Sequence, residues 1–463
     1  MTSTTPFIIE RTRGVFLLGP ARPLTLRANF LWTAAGNGVF ALSQWAILVV
    51  FAKFGSPALV GQVVLGLALT TPIFVIAGLQ LRSVQATDPK SRYTLGQYLG
   101  LRAQTTVAAL VAAVVAAIIL WAAGGRLSAV IILFWALSKV ADAGSDALYG
   151  LFMQSERLDY MGFSLVLRGL LAIAGVAALF RVSHSAPLAL AGLAVAWGAA
   201  LVLFDTPMAR SLLRQRGQSA HASGMSGETL RPVLDQRQLW PLCWEAAPLG
   251  IVAFLLAVQI QAPRYVVAGL LHARELGLFS AAAYLTFTGT VLVNALCAPA
   301  SVRLAQNHVA GMYSSFRQLM VKLVLFAGVL GIAAILVSAC AGARILTLLY
   351  TSEYAGMAGI LVMLCAAGAL SCVGSALGYG MTALRRYRIQ VPIFLAVVLI
   401  TLLSCYLLTV RWGLMGTAVG ILAGNLAQVL MSATVVIRTV RRGSAHSNLA
   451  TVAACEHGRL VAS

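Results

Sequence analysis

The stretch SQWAILVVFAKFGSPALVGQVVLGLALTTPIFVIAGLQ, residues 43–80, carries one charged side chain, Lys53, in 38 residues. Lys53 lies next to Gly55-Ser56-Pro57, a turn signal between two apolar runs. A membrane-spanning helix needs about 20 mostly apolar residues. The runs 29–51 and 59–81 each meet that length, so the stretch reads as a helix–turn–helix across a bilayer. Ten further segments of the same kind follow, at 98–122, 128–150, 161–180, 186–205, 241–262, 277–300, 319–341, 356–383, 391–410 and 414–437. Ten of the twelve contain at least 18 residues free of Asp, Glu, Lys and Arg. The fourth and fifth are the exceptions.

Composition agrees with this reading. The chain of 463 residues is 60% hydrophobic and 10% charged, with mean hydropathy +0.89. Soluble domains carry about 25% charged residues. Strand-period alternation is absent, and in lipid only a helix satisfies its own backbone without closing a barrel. The expected fold is therefore all-α and polytopic, with about twelve transmembrane helices.

The net charge of +20 would suggest nucleic acid in a soluble chain. Here the distribution of charge explains it instead. With twelve spans, the termini and even-numbered loops hold 23 basic residues and the opposite loops hold seven. The positive-inside rule then places both termini in the cytoplasm, and no nucleic-acid partner is expected. The N-terminal apolar run after Arg11 and Arg13 is too short for a signal-peptide core, so no cleavage is expected. The seven cysteines form no CxxC pair and read as small buried hydrophobes. No metal site and no cofactor are expected.

The longest polar break, 206–240, is rich in Ser, Gly and Arg and falls at the midpoint. It divides the chain into an N-terminal tail (1–28), an N-lobe (29–205), a linker (206–240), a C-lobe (241–437) and a C-terminal tail (438–463). Weak repeats cross the break. SPALVGQVVLG and ARELGLFSAAAY both place a glycine, Gly61 and Gly277, where an apolar run begins. Such repeats argue for two six-helix lobes in parallel topology around a central cavity.

The fourth segment carries the chemistry. In FWALSKVADAGSDALYGLFMQ (134–154), Lys139, Asp142, Asp146 and Tyr149 are spaced three, four and three apart. At about 100° per residue they share one stripe of roughly 80°. A charge at the bilayer centre costs about 2.5–3.5 kcal/mol or more, so three charges cannot face lipid. Two readings stand. Lys139 may simply pair with both aspartates, or the stripe lines a watery cavity that meets a polar substrate or a coupling ion. Arg102 and Arg168 lie inside the third and fifth segments. They read either as snorkelling side chains or as a cationic lining for an anionic headgroup. Glu245, beside Trp244, reads as an interfacial residue or a proton-sensitive partner. Asn37 and Gln44 share a face of the first helix with Asn29, as interhelical glue or cavity lining. Asp142, Asp146 and Glu245 are the candidates for ion coupling. There is no GxxxxGK[ST], HExxH or GxSxG motif, so ATP hydrolysis is not expected and an ion gradient or the membrane potential is the expected energy source.

Several of these stretches carry a family resemblance. Residues 43–88, with YLGLRAQ, KVADAGSDALYGLFMQSERLD and LVLRGLL, resemble the first five helices of bacterial polysaccharide flippases. APRYVVAGLLHARELGLFSAAAYL and LYTSEYAGMAGILVMLCAAGAL resemble their second half. These flippases belong to the multidrug/oligosaccharidyl-lipid/polysaccharide exporter superfamily. The resemblance implies a V-shaped twelve-helix transporter in the bacterial inner membrane. Its cargo would be an undecaprenyl-pyrophosphate-linked oligosaccharide, carried from the cytoplasmic to the periplasmic leaflet by alternating access, with polysaccharide polymerase and export machinery as partners. Lys139, Asp142, Asp146, Arg102 and Arg168 fall in the matching motifs. Two alternatives compete with the flippase reading: an ion-coupled multidrug-type exporter of the same superfamily, and a membrane polysaccharide polymerase or ligase.

Overall fold

The computed structural model describes residues 25–88, 92–221, 230–384 and 387–461. Its helices are α1 (Leu26–Phe54), α2 (Pro57–Gly78), α3 (Leu81–Ala86), α4 (Leu95–Ala122), α5 (Arg126–Gln154), α6 (Leu158–Ser183) and α7 (Ala186–Ala200) in the first half. A π-turn at Leu201–Asp205 joins α7 to α8 (Thr206–His221). The second half holds α9 (Gln236–Leu270), α10 (Ala273–Val309), α11 (Tyr313–Leu349), α12 (Ala358–Ala383) and α13 (Tyr387–Val461). Ten helices among the described residues are long and apolar enough to cross a membrane. One of these, α13, contains two of the expected spans. It breaks at Gly413 (φ 56°, ψ −137°), a conformation open to a residue without Cβ. Its two arms then pack back on each other. Gly420 meets Cys405, and the Thr409 and Thr417 hydroxyls bond at 2.7 Å. The eleventh and twelfth segments are therefore antiparallel, as expected. The stretch 206–240 is helical at both ends, since α8 fills its start and α9 begins at Gln236.

Helix boundaries follow local chemistry. Ser56 caps α2, accepting from the Leu59 amide, with Pro57 at the first helical position. Thr94 and Gln97 form a reciprocal capping box on α4. Lipid-facing stripes run along α4 (Val107, Val111, Ile118) and α11 (Leu325, Val329, Ile332, Leu336), all exposed and three to seven residues apart. Exposed tryptophans mark both ends of the span, Trp240 and Trp244 at one and Trp121 and Trp412 at the other.

The fold is all-α with two helical lobes, and their internal packing repeats. α1 lies on α6 as α9 lies on α13, α2 on α5 as α10 on α12, and α4 on α5 as α11 on α12. The repeat is tightest where the halves meet. A Cβ at Gly61 would strike the Ala273 carbonyl, and one at Gly277 would strike the Pro57 carbonyl. Equivalent glycines from the two lobes thus face each other across the seam.

Burial shows which end is closed. At the Pro57/Ala273 end, one apolar core joins Ile47, Phe51 and Val60 of the N-lobe to Val267, Leu276, Phe279 and Leu346 of the C-lobe. Trp45 also donates to the Tyr350 hydroxyl across the seam at 3.0 Å. At the basic end the cores are separate, one built from α4, α5, α6 and α8 and another from α10–α13. The first turns of α9 are the bridge there. Leu239, Leu242 and Ala246 pack on Leu79, Leu81, Tyr98 and Leu101. The space between the lobes therefore opens toward the basic end.

Candidate functional site: a charged cavity in the first lobe

A cavity of about 180 Å³ sits in the N-lobe wall. α2 lines it with Thr71, Phe74, Val75 and Gly78, and α5 with Lys139, Asp142, Ala143 and Asp146. Gln80, Arg82 and Arg102 complete it. Asp142 lies 12 residues from the end of α5, near mid-helix, and Asp146 one turn nearer the basic end.

The stripe on α5 is not self-paired, which corrects the reading in which Lys139 bridges both aspartates. Lys139 Nζ reaches Asp142 Oδ2 at 3.5 Å, but Asp146 is held by two arginines. Arg82 Nη1 meets its Oδ1 and Arg102 Nη2 its Oδ2, each at 3.1 Å. Arg102 Nε also donates to the Ala143 carbonyl at 3.2 Å. Gly78 makes room for this arm, because a Cβ there would stand 2.5 Å from Arg102 Nη1. Arg102 therefore does not snorkel.

Arg168 does not snorkel either. It is 1% exposed, behind the cavity wall. Its Nη2 donates to Asp142 Oδ1 at 2.6 Å and its Nη1 to Tyr149 Oη at 3.3 Å. Its guanidinium lies 4.7 Å from the Trp197 ring centre and 5.4 Å from that of Phe40. This aromatic box replaces part of the hydration that the cation loses. Lys139 Nζ faces the same Trp197 ring at 5.7 Å.

The remaining candidates lie elsewhere. Asn37 is exposed and donates to Thr33 of its own helix at 2.8 Å. Gln44 has a buried amide nitrogen without a partner. Neither lines this cavity. Asn29 ties α1 to the α5–α6 turn through the Glu156 carbonyl and the Leu158 amide. Glu245 is at the basic rim, where it accepts from Tyr93 Oη at 2.9 Å and pairs with Arg92 at 3.4 Å. It links the C-lobe's first helix to the N-lobe. Burial first, and the Glu245 bond second, push the Tyr93 phenol up from its ordinary value. Among the described residues, no group of three or more His, Cys, Asp or Glu side chains could hold a metal ion.

Sequence reasoning missed Arg82, Trp197 and Asp205. Arg82 counts in the sequence as a basic loop residue, yet Leu79 and Gln80 both take left-handed conformations (φ 47° and 52°) and fold α3 back over the cavity. No glycine occupies either position to signal the turn. Trp197 has a signal in hindsight, as a lone aromatic in the Ala/Gly-rich run of α7.

Comparison with known proteins follows from this geometry. Lipid II flippase MurJ, in an inward closed conformation, superposes with a TM-score of 0.70 at 11% identity, covering 90% of this chain and 91% of that one. An inward-facing multidrug resistance MATE family transporter of the MOP superfamily gives 0.67 at 13% identity, covering 88% and 96%. The fold is the MATE/MOP fold. No family model matches the chain. In sequence, the chain is similar to the capsular polysaccharide biosynthesis protein CapF of Staphylococcus aureus. The two are 24% identical over 394 residues, 85% of this chain and 94% of CapF.

Proposed function

We propose that the chain is an alternating-access transporter that moves a lipid-linked oligosaccharide between membrane leaflets. The observation that carries this reading is the cavity's cationic excess. Arg82, Arg102 and Lys139 line it against Asp142 and Asp146, and both arginines sit on one carboxylate, Asp146. A phosphate or pyrophosphate offers the same planar forks more oxygens and can compete for them. A sugar-phosphate head cannot cross about 30 Å of hydrocarbon unaided. An inward-open, wet, mildly cationic cavity replaces its hydration while the lipid tail stays in the bilayer. The likeness to CapF supports a cell-surface glycan as cargo, and the likeness to MurJ supports a polyprenyl-linked one. Charge asymmetry supports an inner-membrane location with both termini cytoplasmic, so that the open end faces the leaflet where such glycans are assembled.

A second reading, an ion-coupled exporter of cationic drugs, is favoured by the likeness to MATE transporters. The cavity's two carboxylates would then be the cation-binding groups. Cavity charge sets the two readings apart. The test reconstitutes the full chain in vesicles with a labelled polyprenyl-pyrophosphate oligosaccharide in one leaflet and, separately, a cationic dye. Movement of the glycan lipid with no dye accumulation is expected. Dye accumulation alone establishes the exporter, and failure to move the glycan lipid ends the flippase reading.

A further inference from the structure

Asp205 closes the five-residue π-turn Leu201–Asp205 at the end of the sixth span. It is fully buried. Its Oδ2 accepts from Ser145 Oγ at 2.6 Å. Its Oδ1 is sealed from solvent and has no hydrogen-bond partner. The Ser164 hydroxyl stands beside the same carboxyl and shares a 2.7 Å hydrogen bond with Tyr149 Oη. Tyr149 in turn receives Arg168, which holds Asp142 on the cavity wall. A continuous polar path thus joins a sealed carboxyl to the cavity.

The site is built for this approach. A Cβ at Gly144 would stand 2.7 Å from Leu201 Cδ2, so the glycine lets α5 close on the π-turn and brings Ser145 to Asp205. The turn itself widens the helix, as π-turns do at functional sites, and Thr206 Oγ1 bonds back to the Leu201 carbonyl at 2.8 Å. Among the elements packed on the turn, α5 offers Tyr149 and α6 offers Arg168. α7 has no titratable residue, and Arg210 and Arg214 of α8 are exposed. Arg168 is already committed to Asp142. A carboxylate sealed from water needs several donors, and Asp205 lacks one on an entire oxygen.

We propose that Asp205 is a proton-binding site that couples the transport cycle, occupied in the inward-open form and vacated to water when the opposite side opens. The proton forms an O–H bond on the Asp205 carboxylate and leaves as hydrated H⁺, with no other group consumed. With the proton bound, Arg168 balances Asp142 alone. With it gone, a second anion competes for Arg168 through Tyr149 and Ser164, the hold on Asp142 loosens, and the charge of the cavity wall changes. This inference rests on the reading of the chain as an alternating-access transporter.

The test has two arms. Infrared difference spectra of the full chain in liposomes, without substrate, should show a protonated-carboxyl C=O band. The band should shift in D₂O, bleach as the pH is raised and be absent from Asp205→Asn. Ser145→Ala, which keeps the carboxyl, should move the band to higher frequency without removing it. In vesicles moving the labelled glycan lipid, wild-type transport should respond to an imposed pH gradient and Asp205→Asn transport should not. Absence of the band from the wild type, its survival in Asp205→Asn, or an undiminished gradient response in Asp205→Asn overturns the proposal. If no glycan lipid moves in either protein, the substrate reading fails and the infrared arm alone decides Asp205.

Discussion

Arg168, 1% exposed, donates to Asp142 Oδ1 at 2.6 Å across the α5–α6 interface. The pair is lopsided, with the guanidinium sealed and the carboxylate side chain 34% exposed to the cavity. Removing the carboxylate strands a buried cation, which costs about 3–5 kcal/mol when one partner of a buried pair is lost. Asp142→Asn is therefore expected to lower the thermal unfolding temperature in detergent markedly. Arg168→Met combined with Asp142→Asn should lower it less than the two single changes added. Arg168→Lys should not restore the wild type, because one ammonium cannot reproduce the fork that reaches Tyr149 and Asp142 together. Additive losses in the double variant would show that the two residues do not act as a pair.

The cavity arginines predict a different outcome, lost transport without lost fold. Arg102 bonds Asp146 and the Ala143 carbonyl, while Arg82 bonds Asp146 alone and its side chain is 40% exposed. A hydrogen bond to a charged group is worth about 1.5–3 kcal/mol, and about 1.4 kcal/mol is a factor of ten. Arg102→Ala is expected to cut glycan-lipid transport about tenfold or more, and Arg82→Ala by less, with both proteins eluting as monodisperse species on gel filtration. Equal and full transport by both variants would remove the cationic forks from the mechanism.

How much of this was legible in the sequence depends on which force set each feature. Lipid forces long apolar helices, so the spans stand out by length alone, and the Gly61/Gly277 repeat correctly points to the seam. The stripe on α5 is legible because helical geometry fixes which residues share a face. Its partners are not. Arg82 reaches Asp146 only because two non-glycine residues, Leu79 and Gln80, adopt left-handed conformations that local sequence does not announce. Asp205 reads as an interfacial residue at the end of an apolar run. The π-turn that draws it inward, and the gap at Gly144 that admits Ser145, arise from packing between helices 60 residues apart.

At the basic rim, Glu245 binds Arg92 and Tyr93 with its side chain 48% exposed. Exposed ion pairs contribute about 0–1 kcal/mol, so Glu245→Gln should leave the unfolding temperature nearly unchanged. The Tyr93 pKa lies above its ordinary 10.0. A raised pKa means the protonated phenol is favoured in the folded state. Its contribution is therefore full below that ordinary value and is lost as pH rises through the raised one. Tyr93→Phe should accordingly flatten any alkaline fall in stability near and above this range, read from unfolding temperatures across a pH series. An unchanged alkaline profile would show that the contact does not bear on stability.

The closed seam gives the sharpest conformational prediction. Gly61 and Gly277 let α2 and α10 cross with backbone against backbone, and any Cβ there meets a carbonyl oxygen. A bulky side chain has no flexible neighbour to displace, so it must part the helices. Beside the crossing, Ser280 is fully buried in the closed form. In a background stripped of native cysteines, Ser280→Cys should resist a membrane-impermeant maleimide added to the face opposite the basic loops. Adding Gly61→Leu should make the same cysteine reactive, because the seal at that end can no longer close. Transport should fall with it, since a cycle that cannot close one side has no alternation. If Ser280→Cys stays protected in the Gly61→Leu background and transport persists, the glycine crossing is not the seal.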